Sequence, residues 1–250
     1  MAAQQPFGDV GLASNPEPRC PCVLLIDTSG SMAEVVGEVG KDLGYEVFQD
    51  GQTYRAVAGG STRIDRVNEG LQAYHADLVA DPLAAQRVEV SVITFGTTVE
   101  TVCPFVGAQD FEPPRLTAAG STAMGAAIVR AIDAVTERKR LYRQNGLHYY
   151  RPWIFLLTDG EPTDAWQAAA AKVQEGEQSK AFAFFCVGVE GANFDTLRQL
   201  SPARQPLHLK GYSFREMFVW LSQSQRAVSH SNPGQEEQVR LAPPTGWASL

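Results

Sequence analysis

Apolar residues follow two different spacings along this chain, and the two spacings alternate. Short, wholly apolar runs such as 23–26 and 153–157 are typical of strands that are buried on both faces of a sheet. In residues 64–79 and 122–142 the apolar positions recur every three or four residues, which predicts amphipathic helices. Because strands and helices alternate in this way, we predict an α/β fold with a doubly wound, mostly parallel sheet and helices on both faces.

The alternation continues on both sides of these segments. Two consecutive strands, 87–95 and 98–103, flank the turn at Gly96, so they predict a hairpin and one antiparallel strand at the edge of the sheet. After residue 160 we predict helices at 164–176, 194–200 and 214–223, with strands at 181–187 and 207–209.

Changes in composition near the two ends bound the predicted domain. Residues 1–19 are polar, rich in Pro, Gly and Ala, and without periodicity, so we expect a flexible lead-in. After residue 224, Ser, Gln, Pro and Gly become frequent, which predicts a tail over 225–250 and leaves open whether Trp247 packs on the domain. Residues 20–224 are expected to form one domain.

Composition and charge exclude some classes of partner. The 250 residues are 44% hydrophobic, which is enough for one substantial core. The net charge is -7 and no run of basic residues occurs, so nucleic acid is not an expected partner. No segment has the pattern of a signal peptide, and no apolar run approaches the roughly 20 residues of a membrane span. We expect a cytoplasmic protein without a membrane span.

The four cysteines leave one question open. Cys103 and Cys186 lie in apolar, strand-like segments, where a free thiol usually belongs to the core. Cys20 and Cys22 flank a single proline, which is too close for an ordinary disulfide, and no second Cys/His pair accompanies them. They are either two residues at the start of a strand or a redox or metal pair.

Hydroxyl and carboxylate side chains gather where predicted elements begin or end. In a doubly wound sheet the loops at the carboxyl ends of the strands meet at one edge, so oxygens on different loops are expected to converge there. An all-oxygen set favours Mg²⁺, with Mn²⁺ or Ca²⁺ as alternatives, over zinc or copper. The candidate metal ligands are Asp27, Ser29 and Ser31 after the first strand, Thr122 at the start of the long helix, and Asp159 after the strand 153–157.

Each candidate taken singly has an ordinary structural alternative. The joint occurrence of three such segments, in this order and each at the end of an element, favours the metal site. The alternatives are an Asx turn for Asp27 and Ser29, a helix cap for Ser31 and Thr122, and an Asp-Gly turn for Asp159.

The three segments resemble the metal-ion-dependent adhesion site of von Willebrand factor A domains. The likeness includes the surrounding residues 21–27, 92–96 and 155–164, and it extends from about Cys20 to Ser224. The wording of these segments is similar in particular to the bacterial cytoplasmic branch that is found with tellurium-resistance operons. Asp164 resembles a further acidic position near the site, but we expect it to cap the helix near Trp166.

The resemblance implies a metal-dependent protein interaction module and no catalysis. In such a site the hydroxyls bind Mg²⁺ directly and the two aspartates act partly through water. With few direct carboxylates the cation stays electrophilic, so a Glu or Asp of a partner protein replaces a water as the last ligand. The resemblance further implies a bacterial stress-response system with kinase- or phosphatase-like partners.

One segment departs from the family pattern. Relatives place the first helix soon after Ser31, whereas here the amphipathic pattern starts at about residue 64. Two alternating runs in 45–57 surround an Asp-Gly pair, so we predict a β-hairpin insertion at about 40–60 beside the metal site. The insertion either shapes the surface that meets the partner or packs its aromatic residues on the domain; these residues are Tyr45, Phe48 and Tyr54.

Two other classes of function find less support. A hydrolase or phosphatase would need an activated nucleophile, yet no Gly-x-Ser-x-Gly elbow occurs and no histidine lies in a predicted site loop. An aspartyl-phosphate phosphatase would carry a second carboxylate two residues after Asp27, where Ser29 stands. An adaptor subunit of an ATPase or chelatase-like complex would need a separate ATPase chain, since no Gly-x-x-x-x-Gly-Lys loop is present.

Overall fold

The structure is a computed structural model that describes residue 12 and residues 15–37, 41–49, 52–235 and 238–249. The strands in these ranges are β1 (Cys20–Asp27), β2 (Val35–Val36), β3 (Lys41–Gln49), β4 (Gln52–Ala58), β5 (Ser61–Thr62), β6 (Val88–Phe95), β7 (Val99–Gly107), β8 (Trp153–Thr158), β9 (Ala183–Gly188), β10 (Leu207–Leu209) and β11 (Ala248–Ser249). The helices are α1 (Arg63–Val79), α2 (Pro82–Arg87), α3 (Met124–Gln144), α4 (Gln167–Gln178), α5 (Phe194–Leu200) and α6 (Phe214–Ser229), with short 3-10 turns at Gly30–Ala33 and Pro244–Gly246.

A seven-stranded sheet forms the centre of the described part of the chain, in the order β11-β10-β9-β8-β1-β6-β7. β1 lies between β6 and β8 and pairs in parallel with both. β9 and β10 extend the sheet in parallel, while β7 pairs antiparallel with β6 at one edge. The predicted fold class, a doubly wound and mostly parallel sheet with an antiparallel edge strand, is confirmed.

Successive side chains of β1 point to opposite faces of the sheet, and each face has its own core. Leu24 packs in a core that includes Val67 of α1 and residues of α6. Leu25 packs in a second core that includes Ile128 of α3 and residues of α4. Every residue of β1 is buried, so the loop that follows this strand is anchored in the core.

Local sequence signals explain where two helices begin. α1 starts one residue earlier than predicted, and Thr62 and Asp65 form a capping box, with Asp65 N donating to Thr62 Oγ1 over 3.2 Å. The six-residue α2 was not predicted because it is too short to show periodicity. Its signal is the pair Asp81-Pro82, in which the Asp81 carboxylate accepts from two backbone N–H groups and proline occupies the first helical position.

The C-terminal segment is more ordered than its composition predicts. α6 was expected to end at Gln223 but continues to Ser229, because Gln225 and Val228 are buried, and Gln225 accepts a hydrogen bond from Tyr74 Oη. Within the predicted tail 225–250, β11 adds a second antiparallel strand next to β10. Trp247 is buried and packs against a tryptophan of α6 with ring centroids 5.3 Å apart. These contacts answer the question about Trp247: it packs on the domain.

The N-terminal segment is described only in part. Of the lead-in predicted for residues 1–19, residues 1–11, 13 and 14 lie outside the described residues. Arg19 is buried, and its Nε lies 3.0 Å from Glu89 Oε1 at the start of β6. Arg19 therefore belongs to the folded body and not to a loosely packed lead-in.

The insertion consists of a stem and a hairpin. β2 and β5 pair antiparallel to form the stem, and β3 and β4 pair antiparallel beyond it, with an irregularity between Asp42 and Glu46. The turn predicted at residues 50–51 lies outside the described residues. The side chains of Tyr45 and Phe48 are exposed, at 57% and 73%.

Candidate metal site

The site lies where three loops meet at one end of the central sheet. The first loop follows β1, the second leads into α3, and the third follows β8. Because β1 and β8 are adjacent and parallel, with Ile26 opposite Leu157, Asp27 and Thr158 emerge side by side. The five residues predicted as metal ligands all lie on these loops.

Asp27 is buried, and its two oxygens are bonded to different segments of the chain. Oδ1 accepts from the backbone N–H of Ser29 over 2.8 Å, which is the Asx turn that its sequence context allows. Oδ2 accepts from the Thr158 hydroxyl over 2.5 Å. The carboxylate is thus held in one orientation by the loop that follows it and by the neighbouring strand.

The two serines connect the first loop to the third. Ser31 lies in the 3-10 turn, and its Oγ donates to Asp159 Oδ1 over 2.7 Å. Ser29 Oγ lies 3.1 Å from Ser31 Oγ. A chain of polar contacts therefore runs from Ser29 to Asp159, across a separation of 128 residues between Ser31 and Asp159.

Thr122 faces the same space from the second loop. A Cβ placed on Gly160 would lie 3.3 Å from Thr122 Oγ1 and 3.9 Å from Asp27 Oδ2. The hydroxyl and the carboxylate thus border a gap that the glycine leaves free of side-chain atoms. The structure thus places Thr122 and Asp27 around Gly160, which directly follows Asp159.

Thr122 is not the cap of α3. Ala123 is the residue directly before the helix, and the first N–H groups of α3 are accepted by Asp164 from the third loop, at 2.9 Å from Gly125 N and 2.8 Å from Ala126 N. The prediction that Asp164 caps the helix near Trp166 is therefore wrong. Its carboxylate prefers the N-terminus of α3, which leaves the Thr122 hydroxyl free for another role.

Backbone hydrogen bonds fix the first two loops against each other. Gly30 N donates to Gly120 O over 2.9 Å, and Ala119 N donates to Thr28 O over 2.8 Å. Gly120 has a φ of +84°, and a Cβ there would lie 2.1 Å from Thr97 Oγ1, so the position requires glycine. The loops are held in place before any ligand binds.

Asp27 carries the electrostatic signature of a cation site. Burial, followed by repulsion from Asp159, raises the pKa of Asp27 from 3.8 to about 6, although hydrogen bonds from Ser29 and Thr158 partly oppose the increase. The buried Asp159 carboxylate lies close enough to Asp27 to disfavour the charged form of Asp27. A divalent cation between them would remove that cost.

One charged residue of the site was not predicted from sequence. Arg63, the first residue of α1, is only 6% exposed, and its Nη1 lies 2.8 Å from Asp159 Oδ2. Its Nη2 lies 2.6 Å from Glu34 Oε2. No motif marks this arginine, because in sequence it comes after the insertion and outside the three segments of the site.

The donor set fits a hard divalent cation. The oxygens available are two carboxylates and three hydroxyls, which is the chemistry of Mg²⁺, Mn²⁺ or Ca²⁺ sites. No group of three or more His, Cys, Asp or Glu side chains suited to a metal occurs among the described residues, so a soft-metal site is absent from that part of the chain. Hydroxyls carry most of the predicted coordination here.

The cysteine pair at the start of β1 does not form a second site. Cys20 and Cys22 are buried, and neither takes part in a disulfide among the described residues. Burial raises the pKa of Cys22 to about 12, so its sulfur is a neutral thiol at physiological pH. Since thiolates are the reactive and metal-binding form, the pair fits the structural alternative, two residues of a buried strand.

Comparisons with known proteins identify the fold. The profile of the von Willebrand factor type A domain matches residues 22–217. The pilus adhesin SpaC from Lactobacillus rhamnosus GG matches with a TM-score of 0.61, 12% identity and coverage of 85% of this chain and 32% of that one. The PilB minor pilin from Streptococcus sanguinis matches with a TM-score of 0.55, 12% identity and coverage of 86% and 64%.

A third solved structure, proximal thread matrix protein 1 from the mussel byssus, matches with a TM-score of 0.50, 14% identity and coverage of 85% of this chain and 49% of that one. The chain thus spans less than two thirds of each of these three proteins. No curated protein sequence matches it. In the described part of the chain, none of the helices has the length and apolar character needed to cross a membrane.

Proposed function

Since this chain belongs to the von Willebrand factor type A domain family, we propose that it is a metal-dependent protein interaction module. The observation that carries the proposal is the hydrogen bond from Ser31 to Asp159, which closes the first loop onto the third beside Thr122. An acidic side chain of a partner protein would bind to a divalent cation that is held by Asp27, Ser29, Ser31, Thr122 and Asp159.

The donor set supports a ligand from outside the chain. Three of the five donors are neutral hydroxyls, and both carboxylates already accept hydrogen bonds from donors of the chain. A bound divalent cation would therefore supply a Lewis-acid position whose charge is only partly compensated by protein ligands. A carboxylate is the complementary group, because it brings negative charge and a hard oxygen together.

The proposal extends to the ion, the partner and the setting. We propose Mg²⁺ as the ion and a protein with an exposed Glu or Asp as the partner. A kinase- or phosphatase-like partner, a bacterial stress-response system of the tellurium-resistance type and a cytoplasmic location are supported only by the resemblance of residues 21–27 and 155–164 to that branch of the family.

The proposed role is binding and not catalysis. The site serines contact each other and Asp159, and no histidine is bonded to either hydroxyl among the described residues. The Asp159 carboxylate, which accepts from Ser31, is held in an ion pair with Arg63. Three of the four histidines have side-chain contacts in other parts of the molecule: His75 packs on Phe111, His208 on Phe194, and His230 bonds to Asp81. A serine nucleophile would need such a base within hydrogen-bonding distance.

The test is a calorimetric titration of the metal-free protein with Mg²⁺ and Mn²⁺. Wild type is expected to bind one equivalent, whereas Asp27→Ala, Thr122→Ala and Asp159→Ala are expected to weaken binding by about 10-fold to 100-fold or more. Glu161→Gln is the matched control, since it removes an exposed carboxylate from the third loop without removing a ligand. Equal affinity in all five proteins would reject the site.

A capture experiment tests the role of the cation in partner binding. The wild-type protein is immobilised and exposed to extract with Mg²⁺ or with a chelator, and Thr122→Ala is exposed with Mg²⁺. We expect at least one bound protein to be lost both with the chelator and with the variant. A set of bound proteins that is indifferent to both changes would contradict metal-dependent recognition.

A further inference from the structure

Arg63 brings a fixed positive charge into the candidate metal site. Its guanidinium is buried with Asp159, and the two side chains form an ion pair with 7% and 0% of their surfaces exposed. Nε of Arg63 is buried as well and has no hydrogen-bond partner among the described residues. An arginine is costly to bury in this way unless its charge serves the site.

Both oxygens of Asp159 are already occupied by donors of the chain. Ser31 donates to Oδ1 over 2.7 Å and Arg63 donates to Oδ2 over 2.8 Å. Two carboxylates and one guanidinium give these groups a formal charge of about -1 where the ligands alone would have about -2. A divalent cation therefore enters a site whose negative charge has been partly neutralised in advance.

The same arginine closes the base of the insertion. Glu34 directly precedes β2 and Arg63 directly follows β5, and Arg63 N donates to Glu34 O over 2.9 Å. Their side chains pair over 2.6 Å, with the Glu34 side chain 58% exposed. One residue thus connects the two ends of the insertion to a predicted metal ligand.

We propose that Arg63 is a positioning residue that holds Asp159 at the base of the insertion and limits the intrinsic affinity of the site for a cation. This inference rests on the proposed function, because it concerns the same site. With a divalent cation bound, the two carboxylates and Arg63 leave a formal charge of about +1, so the site gains most from a partner that supplies a carboxylate. Arg63 thereby makes tight binding of the cation depend on the carboxylate that the partner supplies.

The test compares cation affinity and stability in Arg63→Gln and wild type. We expect Arg63→Gln to bind Mg²⁺ about 10-fold more tightly, because a repelling charge is removed and Asp159 is released. The metal-free variant should melt about 5 °C or more below wild type, since a buried carboxylate loses its partner. A purely structural arginine would give the opposite sign of affinity change, because disorder at Asp159 weakens binding.

Two further variants separate charge from packing. Arg63→Lys keeps the charge and should keep an affinity within about 3-fold of wild type. Arg66→Gln is the matched control, because it removes an arginine from the same helix whose side chain is 40% exposed and pairs with Glu69 at the surface. Its affinity should stay within about 2-fold of wild type because the charge is screened by water.

A variant at an exposed residue, Glu34→Gln, keeps the inference testable if Arg63→Gln does not fold. Without the Glu34 carboxylate the arginine charge acts fully on Asp159, so we expect Mg²⁺ affinity to fall about 2-fold to 5-fold. Unchanged or weaker affinity in Arg63→Gln, or unchanged affinity in Glu34→Gln, would overturn the role of Arg63. Absence of Mg²⁺ and Mn²⁺ binding in wild type would instead reject the proposed function itself.

Discussion

The three site loops and the hairpin insertion, which directly follows the first of these loops in sequence, are built in opposite ways. The loops are bonded to one another and to buried strands, and Asp27 and Thr158 are fully buried. The strands β3 and β4 pair with each other, and neither packs extensively on another helix or strand of the described part. Their side chains leave large apolar groups in solvent, with Phe48 the most exposed.

This difference separates two requirements of recognition. A metal site needs its ligands fixed to a fraction of an ångström, and buried strands with bonded loops supply that precision. A surface that meets a partner needs exposed apolar area, which a hairpin outside the core provides. The stem of β2 and β5, closed by Glu34 and Arg63, is where the two kinds of structure join.

The largest contrast is expected in stability. Leu24→Ala, beneath the site, should lower the free energy of unfolding by about 2–5 kcal/mol because it opens a cavity in a buried strand. Val47→Ala in β3 should change it by less than about 0.5 kcal/mol, since this side chain is exposed. Urea unfolding of the metal-free proteins measures both values. Similar costs for the two would show that the hairpin packs on the domain in solution.

The second contrast concerns the cation. Asp27→Asn should weaken Mg²⁺ binding by about 100-fold. The metal-free variant should be more stable than wild type at neutral pH, because one of two mutually repelling buried charges is gone. Calorimetry and urea unfolding give the two quantities. A variant that loses stability but keeps its Mg²⁺ affinity would show that Asp27 serves the fold and not the cation.

The third prediction concerns pH. The folded pKa of Asp27, about 6, lies above its ordinary value of 3.8, so the folded metal-free protein binds this proton more tightly than the unfolded chain. Stability of the metal-free protein should therefore fall as pH rises from about 4 to about 6, by at most about 3 kcal/mol. With a cation the sign reverses, because the cation binds the deprotonated carboxylate.

Mg²⁺ affinity should decrease about tenfold per pH unit below the pKa of Asp27, near 6, and level off above it. Titrations between pH 4.5 and 8 are the measurement, and Asp27→Asn, which has no such proton, is the control. A flat profile in wild type over this range would mean that Asp27 is already ionised in the metal-free protein. The hairpin variants should follow the wild-type curve.

The parts of the molecule predicted from sequence are those whose signals are local. An apolar run that is followed directly by Asp27, or after one threonine by Asp159, predicts both a buried strand and a loop ligand, because parallel strands expose their carboxyl ends at one edge. The alternating runs of the insertion predict β3 and β4 for the same reason: strand periodicity can be read within a few residues.

The parts that were missed depend on contacts between distant residues. Arg63 reaches Asp159 across 96 residues, and Asp164 caps α3 and not the helix that follows it. Polar residues near a helix start suggest a cap, but the sequence does not say which helix receives it. Thr158 was within reach of inference, since it directly precedes Asp159 on the strand adjacent to Asp27.

The smallest expected effect on the domain, and the sharpest test of the insertion, comes from Phe48→Ser. At 73% exposure Phe48 has little packing to lose, so unfolding free energy should change by less than about 0.5 kcal/mol and Mg²⁺ affinity should not change.

If the hairpin shapes the partner surface, capture of the metal-dependent partner by Phe48→Ser should still weaken, because an exposed aromatic residue is a strong candidate anchor at an interface. Glu46→Gln, two residues earlier on the same face of β3, is the control for a general effect of the strand. A loss of stability above about 1 kcal/mol with unchanged capture would instead support the alternative in which the insertion packs its aromatic residues on the domain. The hairpin would then stabilise the fold, as the site loops do, and would not contact the partner.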